Sequence, residues 1–130
     1  MQTSFSAVLS IFAAAACIMT AQAAPAASNN LQARSSKSGD ATYYAVGLGS
    51  CGETNSDDEM VAALSSSLMG GSNSDLCGKS ITVKSASGSV TLKVVDSCPG
   101  CSEGDVDMSE AAFKKLGQLD EGRIPITWSL

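Results

Sequence analysis

The chain has 130 residues, of which 13 are acidic and 8 basic, with no histidine and a formal net charge of −5. Two basic residues precede position 39, so residues 39–130 hold 6 basic against 13 acidic side chains, a charge of −7. An acidic segment lacks the clustered lysine and arginine that phosphate contacts require. This composition excludes nucleic acid and anionic membrane surfaces as expected partners.

The amino-terminal segment has the pattern of a secretory signal peptide. Residues 7–19 are almost uninterruptedly apolar, and the small-x-small triplet AQA at 21–23 favours cleavage after Ala23 or Ala24. The apolar run is shorter than the ~20 residues that span a bilayer. We therefore predict a signal peptide at 1–23 and a secreted, extracellular protein.

Residues 24–38 are rich in alanine, serine, asparagine and glutamine. A segment with so little to bury does not offset the entropy that a chain loses on folding. It is predicted to be a disordered spacer or a propeptide. Folding is expected over residues 39–130, which suffice for one domain with a modest core.

Short strands between glycine- and serine-rich turns dominate the expected domain. A strand is predicted at 41–46, whereas residues 60–64 fit either a strand or one helical turn. Alternating apolar residues at 80–85 and 90–95 predict a hairpin, and those at 123–130 predict the closing strand.

One helix is predicted at 109–116. Ser109 is a favourable N-cap, Met108 and Phe113 can form a hydrophobic staple, and Gly117 offers a left-handed stop. Many short strands with a single helix favour a small barrel over a sandwich.

Four cysteines follow the signal peptide: Cys51, Cys77, Cys98 and Cys101. An even number in a small exported domain favours two disulfides, and the spacing leaves all three pairings open. A zinc site is the rival interpretation of the CPGC sequence at 98–101. No second pair of this kind and no histidine accompany it, so neither a metal nor a cofactor is expected.

Six short motifs occur in the order seen in double-psi β-barrel domains. They are ATYY at 41–44, GSCG at 49–52, LCGK at 76–79, VDSCPGC at 95–101, VDMS at 106–109 and IPITW at 124–128. Over residues 39–130 the chain resembles the single-domain fungal branch of the expansin, barwin and rare-lipoprotein-A group, which includes loosenins. The resemblance implies a mainly β, six-stranded double-psi β-barrel with an open groove and one short helix. It also implies disulfides between Cys51 and Cys77 and between Cys98 and Cys101.

In expansin-like proteins the polar groove positions match Thr42, Tyr44, Asp96 and Asp107 of this chain. Asp96 ends an apolar strand, where a carboxylate is out of place unless it faces a cleft. Asp107 shortly precedes the predicted helix, whose N-terminal dipole favours the ionised form. Both aspartates can instead act as local caps and turn acceptors.

Asp107 is the candidate catalytic residue, because it matches the general acid of related endoglucanases with this barrel. Inverting hydrolysis also needs a second carboxylate about 6.5–9.5 Å away to activate water. The tyrosine strand is followed by no acid until Glu53, so we expect no hydrolysis. A lone acid suits a lytic transglycosylase, in which one carboxyl group both gives and takes the proton.

Aromatic side chains are scarce after the signal peptide. Tyr43 and Tyr44 are adjacent on a strand and face opposite ways, so only one can line a groove. Trp128 is expected in the core rather than in a sugar platform. Without the aromatic strip that a second domain gives full-length expansins, weak binding confined to the groove is expected.

The expected function is non-hydrolytic binding and modification of cell-wall polysaccharide, such as cellulose, chitin or a related glucan, by a monomer. A second hypothesis is a secreted protein-binding module, because small barrels of this type include a papain inhibitor. Its target would be a secreted cysteine protease or a host protein, and the polar loops at 53–59 and 70–75 motivate it. A lytic transglycosylase-like enzyme is the third.

Overall fold

The computed structural model describes residues 36–71 and 73–130. The predicted signal peptide lies outside the described residues. The predicted spacer does too, except for residues 36–38, which form the start of the first strand. The strands are β1 (Ser36–Tyr43), β2 (Val61–Ser65), β3 (Ser80–Lys84), β4 (Ser89–Cys98), β5 (Val106–Met108) and β6 (Ile124–Ser129).

The six strands close into a barrel in the order β1-β5-β2-β4-β3-β6. Two pairs are parallel, β1 with β5 and β2 with β4, and the other four are antiparallel. This arrangement confirms the predicted six-stranded barrel. Residues 60–64, which fitted either a strand or a helical turn, supply most of β2.

The predicted hairpin and closing strand enclose one side of the core. Ile81 of β3 pairs with Leu92 of β4, and both are buried. Ile124 and Trp128 of β6 point into the same cluster. The indole Nε1 of Trp128 donates to the Gly104 carbonyl at 2.8 Å, so this side chain belongs to the core as expected.

Three short helical segments accompany the barrel in the described part of the chain: α1 (Ser66–Met69), α2 (Glu110–Phe113) and a 3₁₀ turn (Leu119–Glu121). Neither α1 nor the 3₁₀ turn was predicted. Ser109 is the N-cap of α2, since its Oγ accepts from the Ala112 amide at 3.2 Å. It also donates to the Glu59 carbonyl at 2.5 Å.

The predicted end of the second helix was wrong. The α-helix ends at Phe113, and hydrogen-bonded turns follow it as far as Gly117. Gly117 does not adopt a positive φ. A Cβ at Gly117 would lie 2.6 Å from Glu121 Oε2 and 3.1 Å from Ile124 Cδ1. Close packing rather than a left-handed turn therefore favours glycine there, because a Cβ would displace the Glu121 carboxylate.

Two disulfides hold the loops of the barrel. Cys51 pairs with Cys77 and Cys98 with Cys101, which confirms the pairing that the resemblance implied. The first bridge joins the loop after β1 to the loop before β3, and the second closes the turn after β4. Among the helices of residues 36–71 and 73–130, none is long and apolar enough to cross a membrane.

Candidate functional site

The parallel pairing of β1 and β5 brings two of the predicted groove residues together. Thr42 lies opposite Asp107, and its Oγ1 donates to Asp107 Oδ1 at 2.9 Å. Val106 and Met108 point into the core, so Asp107 between them points to the outer face of the barrel. It is half-buried there.

Asp96 reaches the same outer face from the other side of β2. The register of β2 and β4 shifts after Ala62, so Ala63 pairs with Asp96 on one neighbouring strand and with Asp107 on the other. Two strand spacings of about 4.8 Å therefore place the backbones of the two aspartates about 9–10 Å apart. Ala63 lies between them on the same outer face and is buried.

Tyr44 completes the set that we call the groove cluster: Thr42, Tyr44, Asp96 and Asp107. Its amide donates to the Met108 carbonyl at 3.0 Å, which continues β1 past its last residue. Burial raises the pKa of Tyr44 to about 12, with further contributions from the charges of Asp96, Asp107 and Asp57. The structure thus brings all four predicted groove residues to one place.

The two adjacent tyrosines take opposite sides, as the strand geometry requires. The Tyr43 ring packs against Phe113 with ring centroids 4.9 Å apart, and its hydroxyl donates to the Leu119 carbonyl at 3.0 Å. The Tyr44 hydroxyl is buried and has no hydrogen-bond partner among the described residues. Only Tyr44 is therefore available to the groove cluster.

Asp107 does not follow the expectation that a helix dipole favours its ionised form. Its pKa is raised above the usual value, chiefly by burial and further by the Asp96 charge, although the Thr42 hydrogen bond opposes the shift. The helix that follows has only four residues, and desolvation outweighs any stabilisation from it. Asp107 consequently keeps its proton to higher pH than a solvated aspartate.

The Cys98–Cys101 disulfide lies beside this carboxyl group. Its two sulfur atoms and one Asp107 carboxylate oxygen all lie within 4.8 Å of one another. Because both cysteines are oxidised, they offer no thiolate for a metal. The disulfide is instead an apolar neighbour of Asp107 that adds to its desolvation.

The Asp96 carboxylate has a structural role that the sequence did not reveal. Its Oδ1 accepts from the amides of Ser50 and Ser97, each at 2.8 Å. The loop above it approaches so closely that a Cβ at Gly49 would lie 2.2 Å from the Val95 carbonyl oxygen. Asp96 therefore holds the 49–51 loop against the barrel, and the GSCG motif was the sequence signal for that contact.

A further carboxylate faces the cluster from the loop after β1. Asp57 Oδ1 accepts from the Val46 amide at 2.7 Å, and the Asp57 charge contributes to the raised pKa of Tyr44. Sequence reasoning found neither Asp57 nor Ala63, since only the folded chain places them here. Asp107, whose pKa is raised, and two aspartates whose carboxyl oxygens accept from backbone amides therefore surround the tyrosine.

A closed six-stranded barrel with two disulfides is typical of a double-psi β-barrel protein of the expansin-like class. A family model described as lytic transglycolase matches residues 36–128. The chain belongs to this double-psi β-barrel family.

Curated relatives and solved structures agree with that assignment. The papain inhibitor of Streptomyces mobaraensis is 35% identical over 122 residues, which cover 88% of this chain and 85% of the inhibitor. An allergen homologue of Arthroderma benhamiae is 37% identical over 83 residues, 60% of this chain and 28% of that protein. A point variant of Clavibacter michiganensis expansin, solved in complex with cellohexaose, matches with a TM-score of 0.65 and 34% identity. That match covers 72% of this chain and 48% of the expansin. The chain thus spans half or less of the allergen and expansin relatives.

Proposed function

We propose that the protein is a secreted, expansin-like protein that binds and modifies cell-wall polysaccharide without hydrolysing it. The carrying observation is the pair of half-buried aspartates, Asp96 and Asp107, that flank Ala63 on one outer face. The signal-peptide pattern and the two disulfides support secretion, because disulfides persist in oxidising compartments.

The groove cluster suits a ligand made of hydroxyl groups. Carboxylate oxygens accept hydrogen bonds from sugar hydroxyls, and Asp107 can donate one while it holds its proton. The Tyr44 hydroxyl is buried and has no protein partner in the described chain, so an ordered water molecule would satisfy it, while the ring remains available to a ligand. The related expansin solved with cellohexaose supports a β-linked glucan as the first ligand to test.

Hydrolysis is not part of the proposal, because each further carboxylate near Asp107 holds a loop. Asp96 accepts two backbone amides through one oxygen, and Asp57 accepts the Val46 amide. A water-activating base has to hold a water molecule on the face of the sugar opposite the acid. We assign that role to neither aspartate.

Retention of the full secreted protein on cellulose and chitin, with cellohexaose titrated calorimetrically, tests the proposal. Tyr44→Ala removes a ring and a hydroxyl from the groove and should weaken binding at least about tenfold, the size of a typical strong contact. Asp107→Asn should weaken it as well. Asp120→Asn, on the exposed 3₁₀ turn, is the matched control and should bind like the wild type.

Two results would contradict the proposal. The first is an absence of retention on every wall polymer tested. The second is release of reducing sugar by the wild type that Asp107→Asn abolishes, which would assign a lytic or hydrolytic activity with Asp107 as the acid.

We propose cysteine-protease inhibition as the second candidate function. The observation that favours it is mutual coverage, because the Streptomyces papain inhibitor matches over 85% of its own length. Residual papain activity with micromolar protein measures it directly. Unchanged papain activity would remove this candidate and leave the polysaccharide proposal untouched.

A further inference from the structure

We infer that the hairpin at residues 47–54 is the surface that binds a papain-like cysteine protease, with Leu48 as the side chain that enters an apolar pocket. This inference rests on the second candidate function. It adds to that function the hairpin that makes the contact, the residue that anchors it and the apolar character of the partner's pocket.

Leu48 is unusually exposed for a large apolar side chain. Of those in the described part of the chain, Leu48 has 75% of its surface exposed and Leu130, at the chain end, has 56%. A single exposed leucine is common and needs no partner. The setting of Leu48 in a fixed hairpin is what distinguishes it.

Backbone hydrogen bonds fix the hairpin around Leu48. Leu48 forms a β-bridge with Thr54, and the Gly49 amide donates to the Glu53 carbonyl at 2.9 Å. The Asn55 amide closes the base by donating to the Gly47 carbonyl at 3.1 Å. A loop that is already ordered loses little conformational entropy on binding, so its contacts contribute more fully to affinity.

The barrel holds the same hairpin from below. Cys51 is bonded to Cys77, and its amide donates to the Val95 carbonyl at 3.2 Å. The neighbouring Ser50 amide donates to Asp96 at 2.8 Å. The hairpin is therefore crosslinked and anchored at its far side, while Leu48 projects from its beginning.

The surroundings of Leu48 indicate a protein partner rather than a sugar. An isobutyl side chain forms no hydrogen bond and lacks the flat face of an aromatic ring, so it has no preferred contact with a sugar ring. Glycines flank it, and a Cβ at Gly47 would meet no atom within 4 Å. A partner can thus approach the backbone on that side while its pocket encloses the leucine, as a protease cleft does with a peptide.

The electrostatics of the hairpin agree with an apolar contact. Glu53, the only charged residue of the 47–54 segment, pairs with Lys93 at 2.7 Å, which neutralises its charge locally. Burying Leu48 against an apolar pocket therefore desolvates no unpaired charge of the hairpin.

Inhibition constants for papain, measured with the full secreted protein and its variants, test the inference. Leu48→Ala should raise the inhibition constant at least about tenfold, as expected for truncation of a central anchor. Leu48→Met, which keeps an apolar side chain of similar volume, should stay within about threefold of the wild type. Leu130→Ala is the matched control for an exposed leucine and should not change the constant.

The same variants separate this inference from the polysaccharide proposal. Leu48→Ala should keep wild-type retention on cellulose and an unchanged thermal midpoint. The inference is overturned if Leu48→Ala inhibits papain as well as the wild type, or if the wild type does not inhibit at all. It is also overturned if Leu48→Ala loses cellulose retention in parallel with inhibition. Loss of inhibition alone supports it, even where no variant binds cellulose.

Discussion

The β2–β5 side and the β3–β6 side of the barrel belong to one closed sheet, but their outer faces differ in burial and in charge. On β3 the inward residues are buried and the outward Lys84 is exposed, the ordinary alternation of a half-buried strand. On β2 all five residues are buried, and the outward residue of β5 is the half-buried Asp107. The buried outer face of β2, with a half-buried aspartate beside it on β5, distinguishes the side of the barrel where we propose the groove.

That difference has an energetic meaning. Burial raises the pKa of Asp107 and leaves the Tyr44 hydroxyl without a partner in the described chain, and both are unfavourable for the folded state. The β3–β6 side contains no comparable strain among its described residues. Polar groups held at an energetic disadvantage mark the side of the barrel where we propose function.

The largest effect is expected on the β6 side. Trp128 is 2% exposed, and its truncation in Trp128→Ala should lower the free energy of unfolding by about 3–5 kcal/mol. Thr127→Ala, the exposed neighbour, is the control and should change it by less than about 0.5 kcal/mol. Urea unfolding measures both. A loss below about 1 kcal/mol for Trp128→Ala would contradict a core role for this side chain.

The two disulfides close loops of very different length. Cys51–Cys77 spans a sequence separation of 26, and Cys98–Cys101 one of 3. Loop-closure entropy then predicts losses of about 3.5 and about 2 kcal/mol when each pair is replaced by serine. Denaturant unfolding of the two double variants gives the order.

The order of the two losses also tests how the Cys98–Cys101 disulfide stabilises the groove side of the barrel. A larger loss for the shorter bridge would show that the Cys98–Cys101 disulfide stabilises the fold through its contacts around Asp107. Loop closure would then not be its main contribution.

The regular side of the barrel was largely predictable from the sequence, and the groove only in part. Alternation identified the β3–β4 hairpin and β6, because there each residue's burial follows from its place in one strand. β1 begins at Ser36, three residues before the expected start of the domain, because pairing with β6 outweighs its polar composition. The Lys37–Glu103 contact at 3.1 Å links the same part of β1 to the loop between β4 and β5.

The groove residues depend on several strands at once. Asp96 and Asp107 were found through the resemblance, but Ala63 between them was not, since its position follows from the register of β2 with two neighbours. The predicted direction of the pKa shift of Asp107 was wrong, because the sequence favoured the ionised form whereas the folded-state pKa is raised. The local sequence shows a helix start, whereas the dominant cause is desolvation by the surrounding fold.

The smallest expected effect is a pH-dependent gain in stability for Asp107→Asn. The folded-state pKa of Asp107 is raised, so the folded protein binds this proton more tightly than the unfolded chain does. The resulting stabilisation is complete below the unfolded value of about 3.9 and is lost as the pH rises through the folded pKa. Above the folded pKa the wild type carries an ionised, half-buried carboxylate that an amide avoids, and an amide oxygen still accepts from Thr42.

Asp107→Asn should thus have a higher thermal midpoint than the wild type at pH 7, and this advantage should shrink near pH 3. Asp120→Asn, at an exposed position, should show little change at either pH. An equal or lower midpoint for Asp107→Asn at pH 7 would contradict the account of its burial. A more stable variant that binds polysaccharide less well would show that the groove retains Asp107 for function at the expense of stability.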